Sequence, residues 1–206
     1  MNAFLARVQE TYSNMTSYAD TGTVVQRVGE YKGKKTFRTL WAKDRGFRFE
    51  YRTVQTQREN PDLLVVWGKG EKGKRYWSLT SDVAEGALDE LLNDADATAL
   101  GAATPIFRLL QAPEDEQVPR LTKLGFPNFL LDEKVGGTLC KCVQGSYGQI
   151  GVLIWVDPRS MLVVKMRAVD GVDDEVVEET EITYQPQLNP KLTDDKLSFS
   201  PPTRRS

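Results

Sequence analysis

Residues Val152 to Ala168, VLIWVDPRSMLVVKMRA, have the pattern of a β-hairpin. Two apolar runs flank the polar turn Asp157-Pro158-Arg159-Ser160, and such turn residues between hydrophobic runs favour a hairpin. Because side chains alternate along a strand, one face is predicted to be apolar and the other to carry cations. The apolar face is predicted to hold Val152, Ile154, Val156, Leu162, Val164 and Met166, and the other Lys165 and Arg167. Such a face needs an apolar cover, either the protein's own core or, in part, a bound ligand.

The composition is that of an ordinary globular protein, with 206 residues, 40% hydrophobic and 27% charged. This length suits a single domain, which we predict over residues 1–202, with a frayed tail at 203–206. The formal net charge is -2, and Lys and Arg are scattered among Asp and Glu. No basic stripe is available for phosphate backbones, so we expect no nucleic-acid partner.

The chain contains no histidine. This removes the commonest general base, the commonest metal ligand and the Ser-His and Cys-His nucleophile pairs. Carboxylates, Lys or Tyr remain, but no constellation of them indicates a hydrolase or a transferase. Asp157 could be imagined as a general base, yet its place before Pro158 is typical of a turn residue. We therefore expect a protein without enzymatic activity, without a cofactor and without a metal.

The two cysteines, Cys140 and Cys142, are separated only by Lys141. On a strand they point to the same side, where a disulfide would strain the backbone. One interpretation is a pair of small buried apolar side chains. The alternative is a strained redox pair or a metal site, although no histidine supplies further ligands.

No apolar run approaches the roughly 18 to 20 residues of a membrane-spanning helix. The N-terminus also lacks the pattern of a signal peptide, because Met1 is followed at once by an amphipathic helix over Asn2 to Ser17. Two interpretations remain open: a cytosolic protein, or a mature segment restarted with a methionine.

After this helix the hydrophobic period changes from the helical value to two, which is typical of strands. The clearest strand is Gly46 to Arg52, where Phe47, Phe49 and Tyr51 alternate with charged residues. Short connections between strands favour a meander of five. These strands are predicted at Tyr18–Val28, Lys35–Lys43, Gly46–Arg52, Leu63–Gly68 and Arg75–Leu79.

A helical insert is predicted from about residue 82 to residue 112. Within it Thr104-Pro105 has the form of an N-cap followed by proline at the first helical position. The helix that follows is more apolar than a solvent-facing helix and must pack on something. Beyond an acidic link from Pro113 to Pro119, strands are predicted again at Gly137–Gly145, in the hairpin quoted above, at Glu175–Tyr184 and at Lys196–Ser200.

The predicted fold class is α+β, a strongly curved antiparallel sheet of about ten strands. The sheet is expected to form an unclosed β-barrel, or half-barrel, with the N-terminal helix and the insert as lid or plug. The acidic run Asp173-Asp174-Glu175 with Glu178, Glu179 and Glu181 is interpreted as a solvated strand face, with a calcium or partner site as the alternative.

The order of these elements resembles the LolA-like superfamily of bacterial periplasmic lipoprotein carriers. The motifs that carry the resemblance are short and spread along the chain: Asp20-Thr21-Gly22-Thr23-Val24, Phe37-Arg38-Thr39, Phe47 to Tyr51, Ile154 to Pro158, Thr183-Tyr184-Gln185-Pro186 and Phe199-Ser200-Pro201-Pro202. The resemblance implies a half-barrel whose cavity holds acyl chains, and a periplasmic location after removal of a signal peptide. Family members rely on an arginine inside the barrel. Arg38 and Arg48 are nearest by position, but neither is carried over, because Arg48 should point away from the apolar face.

The predicted ligand-binding residues form one aromatic and aliphatic surface of the cavity. They are Phe47, Phe49, Tyr51, Trp67, Phe107, Leu110, Ile154, Leu162, Val164 and Met166. The alternative is that these residues only form the core beneath the helices. The first hypothesis is a monomeric carrier or sensor for a lipid or lipoprotein acyl chain, with an envelope protein as a further candidate partner. The second is a protein-interaction or regulatory domain with a fully packed interior.

Overall fold

The computed structural model describes residues 1–53, 62–111, 119–172 and 175–202. Most of the acidic link (113–118), the pair Asp173-Asp174 and the predicted tail 203–206 lie outside the described residues. The described elements are, in chain order, α1 (Asn2–Ser13), β1 (Ser17–Val28), β2 (Tyr31–Ala42), β3 (Gly46–Thr53), β4 (Leu63–Lys69), β5 (Lys72–Trp77), β6 (Asp82–Ala87), α2 (Leu88–Thr98), α3 (Pro105–Leu110), β7 (Gly125–Phe129), β8 (Glu133–Val135), β9 (Thr138–Tyr147), β10 (Ile150–Val156), β11 (Val163–Val172), β12 (Glu175–Tyr184), β13 (Gln187–Leu188) and α4 (Asp194–Leu197).

All the described pairings in the sheet are antiparallel, and its strands follow the order β6-β5-β4-β3-β2-β1-β12-β11-β10-β9-β7. Two short strands lie off this path, β13 beside β1 and β8 beside β9. The end strands β6 and β7 do not pair with each other, so hydrogen bonds do not close the sheet. The predicted α+β fold with an unclosed barrel is therefore confirmed.

The sheet consists of two meanders joined through β1 and β12. In this junction Val24 pairs with Ile182, and both side chains are fully buried on the concave face. The two apolar patterns match in register because a slip of one residue would turn the inward side chains of the slipped strand to the other face of the sheet. The meander of the first strands is confirmed, and it continues one strand further than predicted.

Two predicted local structures are wrong. Residues Asp82–Ala87 form a strand and not the start of the helical insert, because pairing with β5 provides the hydrogen bonds that their weak alternation does not predict. Residues Asp194–Leu197 form a helical turn where a strand was predicted at Lys196–Ser200. Thr104 is the N-cap residue of α3 and Pro105 its first helical residue, as predicted, although the Thr104 side chain forms no capping hydrogen bond. Asp96 of α2 accepts hydrogen bonds from the backbone N–H groups of Ala103 and Thr104, at 2.8 and 3.2 Å.

The hairpin at Val152 to Ala168 is present as β10 and β11, with Asp157 as the turn residue. Its carboxylate accepts hydrogen bonds from the Arg159 N–H at 3.0 Å and the Ser160 hydroxyl at 2.7 Å. Burial alone would raise the pKa of Asp157, but these hydrogen bonds outweigh burial and lower it.

A β-bulge in this hairpin corrects the predicted face of Val164. Val156 pairs with Val163, whereas Trp155 pairs with Lys165, so Val164 is the extra residue. Its side chain packs on the convex face beside Trp155, and Val163 takes the concave position. The predicted alternation therefore fails at this one residue.

The indole ring of Trp155 on the convex face is contacted by two cysteine side chains and by charged groups. Cys140 and Cys142 are free thiols that pack against the indole ring. The Lys165 ammonium lies 4.4 Å from the ring centroid, and Trp155 Nε1 donates a hydrogen bond to Glu133 at 3.0 Å. The interpretation of the cysteines as small buried side chains agrees with this packing.

We expect Cys140 and Cys142 to resist dithionitrobenzoate in the folded protein and to react once the chain is denatured. Both side chains are fully buried, and burial raises the pKa of each thiol, that of Cys142 to about 11. A Ser13→Cys variant supplies an exposed control thiol that should react at once. Equal rates for the native cysteines and for this control would contradict the described packing.

None of the helices in the described ranges is long and apolar enough to cross a membrane.

Candidate functional site

The concave face of the sheet is covered by helices α1, α2 and α3 and not by a second sheet. Each helix contributes apolar side chains to one continuous core with the inward residues of the strands. The buried helical residues are Leu5, Val8, Tyr12, Leu88, Leu91, Leu92, Ala95, Ile106, Phe107, Leu109 and Leu110. Small-molecule sites in proteins are concave and mostly apolar, and this covered face has both properties.

Eight of the ten predicted ligand-binding residues lie in this concave core. They are Phe47, Phe49, Tyr51, Phe107, Leu110, Ile154, Leu162 and Met166. The rings of Phe47 and Phe107 meet edge to face with centroids 4.9 Å apart, so the helical insert rests directly on the sheet. Their role in binding a ligand stays a prediction.

The other two predicted residues, Trp67 and Val164, lie on the convex face. Trp67 pairs with Arg48 across β3 and β4, and its ring contacts Phe199 at 5.2 Å between centroids. Its placement with the concave residues was therefore wrong. In β4, Leu64 and Val66 are the residues that point inward, and Trp67 follows them on the opposite face by simple alternation.

Arg48 lies on the convex face as predicted. Its guanidinium forms an ion pair with Glu50 at 2.6 Å and donates a hydrogen bond to the carbonyl of Ser198. It also lies over the Phe199 ring, 5.2 Å from the centroid. These contacts fix the C-terminal segment across β3, which explains this arginine without a ligand.

Helix α3 is the part of the cover with the weakest polar attachment to the sheet. Asp96 joins it to α2, and Gln9 of α1 donates a hydrogen bond to the carbonyl of Leu109 at 2.9 Å. Arg108 donates a hydrogen bond to Asn93 of α2 at 2.6 Å. Among the described residues, no hydrogen bond or ion pair joins α3 to a strand; it contacts the sheet through apolar side chains such as Phe107.

An opening of about 400 Å³ lies at the edge of α3 and leads toward the core. It lies between the end of α1, the end of α3 and the turns β2–β3 and β4–β5. Its lining residues are Ser13, Trp41, Ala42, Lys43, Asp44, Arg45, Gly46, Phe47, Gly68, Gly70, Leu88, Leu110 and Gln111. Only Phe47 and Leu110 of this set were predicted, because the others meet through tertiary packing of turns far apart in sequence.

A polar cluster that the sequence analysis missed lies inside the core. Asp20 is only 2% exposed, and its carboxylate accepts hydrogen bonds from the Tyr18 hydroxyl at 2.8 Å and the Thr39 N–H at 3.0 Å. Nearby, Tyr12 of α1 accepts a hydrogen bond from the Val163 N–H at 3.1 Å. Asp20 has the inward register of Tyr18 and Val24, which was the one available signal of a buried carboxyl.

Burial raises the pKa of Asp20 from its ordinary value of 3.8 to about 6, although three hydrogen bonds to the carboxylate oppose the shift. Burial likewise raises the pKa of Tyr12 and Tyr18. The hydroxyl groups of Tyr51 and Tyr184 are buried without a hydrogen-bond partner in the described part of the chain. The core is therefore apolar with a few buried polar groups, a composition typical of small-molecule sites.

No protein-family model and no curated protein matches the sequence. Solved structures do match. An uncharacterized conserved protein from Thermus thermophilus has 13% sequence identity, with 97% of this chain and 93% of that chain covered and a TM-score of 0.54. A chain of the Pseudomonas aeruginosa MucA/MucB complex also has 13% identity and a TM-score of 0.54, and this chain spans 60% of its length. A LolA superfamily protein from Nitrosomonas europaea has 12% identity, 96% coverage of each chain and a TM-score of 0.40.

The two matches with TM-scores of 0.54 share the fold of this chain, which is the fold that the resemblance implied. The fold defines a class of half-barrel proteins with a helical cover, and at these identities the likeness concerns the fold alone.

Proposed function

We propose that this protein is a non-enzymatic binding protein that holds an acyl chain, free or part of a lipoprotein, between α3 and the concave face of the sheet. The supporting observation is the apolar attachment of α3, which rests on Phe47 through Phe107 beside an opening into the core. Burial of each methylene group of a ligand would contribute about 0.8 kcal/mol. A carrier of this kind needs no catalytic residues.

The inward side chains of α3 are buried in the apolar core, so uptake at this position requires displacement of the helix. Phe107 and Leu110 are 7% and 6% exposed, and they occupy the position that an acyl chain would take. Displacing α3 breaks its apolar contacts with the sheet, and the acyl chain of the ligand forms new apolar contacts in their place. Hydrogen bonds or ion pairs between α3 and the sheet could not be replaced by an acyl chain. This exchange makes α3 suited to act as a lid.

The direct experiment is mass spectrometry of organic extracts of the purified protein, combined with binding of the neutral fluorescent probe N-phenyl-1-naphthylamine. We expect a co-purified acyl compound and a saturable fluorescence increase that fatty acids reverse. A protein that carries no lipid and binds no probe would falsify the proposal.

The connection between α2 and α3 is expected to control uptake. An Asp96→Ala variant loses the acceptor for the Ala103 and Thr104 N–H groups, which should cost about 1 to 3 kcal/mol of stability and speed probe uptake in stopped-flow fluorescence. Asp94→Ala is the matched control, since among the described residues Asp94 forms only an exposed ion pair with Arg75, and its loss should change stability little. Equal uptake rates for the two variants would contradict the lid.

A protein partner is the second candidate function. The observation in its favour is the burial of the inward residues beneath the helices, which suits an interaction domain as well as a closed carrier. The similar chain from Pseudomonas aeruginosa was solved in a MucA/MucB complex, which supports this candidate. A protein that binds no probe but is recovered in a stable stoichiometric complex from envelope extracts would favour this function.

We also propose that the protein is a monomer in the bacterial periplasm. The resemblance to periplasmic carriers supports the location, and cell fractionation of the strain expressing the native gene tests it. Size-exclusion chromatography with light scattering tests the monomer.

A further inference from the structure

The convex face carries a second concavity, the outer groove, which no step of the proposed lid mechanism uses. Its volume is about 760 Å³, within the range of small-molecule sites, and most of its surface is apolar. Trp67 and Leu197 contribute apolar walls, and Gly68, Gly73 and Gly86, which pair across β4, β5 and β6, expose backbone there.

The rim of the outer groove is basic, although the whole chain has a net charge of -2. Four cations and two carboxylates line it. Lys74 pairs with Glu85, and Arg45 pairs with Asp194 at 2.6 Å, so both carboxylates are neutralised. Within the described ranges Lys69 and Lys72, which pair across β4 and β5, form no ion pair. The net charge of the rim therefore favours an anion at these two lysines.

The outer groove adjoins the opening at the edge of α3. Arg45, Gly46 and Gly68 line both concavities. The two concavities therefore adjoin at the turns β2–β3 and β4–β5, where the sheet ends, and together they are called the edge path. Its inner end is lined by Phe47, Leu88 and Leu110 and its outer end by the two lysines.

We propose that the edge path binds an amphiphile with an oxyanion head group, with the head at Lys69 and Lys72 and the acyl chain directed under α3. This inference rests on the proposed function, because it names the chemical class of the ligand and its entry route at the same lid. A carboxylate of a fatty acid and a phosphodiester of a lysophospholipid share the required chemistry. A cationic or uncharged head group would gain nothing from the rim.

The experiment measures displacement of neutral N-phenyl-1-naphthylamine by amphiphiles with the same acyl length, below the concentrations at which they form micelles. Dodecanoate, lauroyl lysophosphatidylglycerol, dodecanol and dodecyltrimethylammonium supply anionic, neutral and cationic heads. The variant Lys69→Glu/Lys72→Glu is compared with Lys32→Glu/Lys34→Glu, an equal charge change on exposed lysines at the opposite end of β2.

We expect the groove variant to bind the anionic amphiphiles at least about tenfold more weakly, with dodecanol unchanged and the cationic amphiphile bound more tightly. The Lys32/Lys34 control should match the wild type. The stronger of the two anions identifies the source of the head group. If the probe binds, but neither the head-group charge nor the substitution of both lysines changes the affinity for the amphiphiles, this inference is wrong. The proposed binding site beneath α3 is not affected by that result. If no probe binds to the wild type, the proposed function fails and this inference fails with it.

Discussion

The stability advantage of the wild type over the Asp20→Asn variant is expected to be larger at pH 4 than at pH 7. This advantage, the difference between the two free energies of unfolding, should change by up to about 3 kcal/mol. The cause is the buried carboxyl of Asp20, whose pKa of about 6 in the folded protein lies above its ordinary value of 3.8. Each pKa unit corresponds to about 1.36 kcal/mol. Asparagine has the same shape, can accept the Thr39 N–H bond and does not titrate.

The sign follows from proton binding. Between pH 4 and pH 6 the folded protein holds more protons at Asp20 than the unfolded chain does, so stability from this group falls as pH rises through that range. Urea unfolding of both proteins at several pH values measures the difference, and other titrating groups cancel. An Asp157→Asn variant is the control with the opposite sign, because the pKa of Asp157 is lowered and its contribution is lost as pH falls. A wild-type to Asp20→Asn difference that stays constant from pH 4 to pH 7 would rule out a buried titrating carboxyl.

The fold was predictable where the hydrophobic period alone specifies a face. Phe47, Phe49 and Tyr51 alternate with charged residues, and all three are buried on the concave side. Prediction failed where backbone pairing with a neighbouring strand, and not the alternation of side chains, determines the structure. Residues Asp82–Ala87 hold only weak alternation, yet β5 pairs with every one of them. The bulge at Val164 is likewise invisible in a run of apolar residues, because either face accepts valine.

The concave residues of the candidate site were predictable, but its boundaries were not. The opening at α3 depends on the turn residues Arg45 and Gly70 lying beside Leu88 and Leu110, and only the folded topology brings them together. The outer groove depends on Leu197. The strand predicted at Lys196–Ser200 would place Leu197 and Phe199 on the same face, because they are two residues apart. In the helical turn, Leu197 packs with Leu40 and Ala42, while Phe199 contacts Trp67.

Replacing Phe47 with alanine is expected to lower the free energy of unfolding by about 3 to 5 kcal/mol, since the ring is 1% exposed and its removal leaves a cavity. The contact with Phe107 should appear in a double-mutant cycle as a coupling of about 0.5 to 1.5 kcal/mol. Chemical denaturation of Phe47→Ala, Phe107→Ala and the double variant measures it. Phe126→Ala is the matched control, because that ring is 94% exposed and its loss should change stability by less than about 0.5 kcal/mol.

The measured Phe47–Phe107 coupling also shows whether the lid is closed in the ligand-free protein. If α3 rests on the sheet in solution, a ligand must replace the Phe107 contact, so part of its binding free energy is spent on opening the lid. The Phe107→Ala variant should then bind N-phenyl-1-naphthylamine more tightly than the wild type although the variant itself is less stable. Additive stability effects, together with weaker probe binding by Phe107→Ala, would indicate an open lid in which Phe107 contacts the ligand and not the sheet.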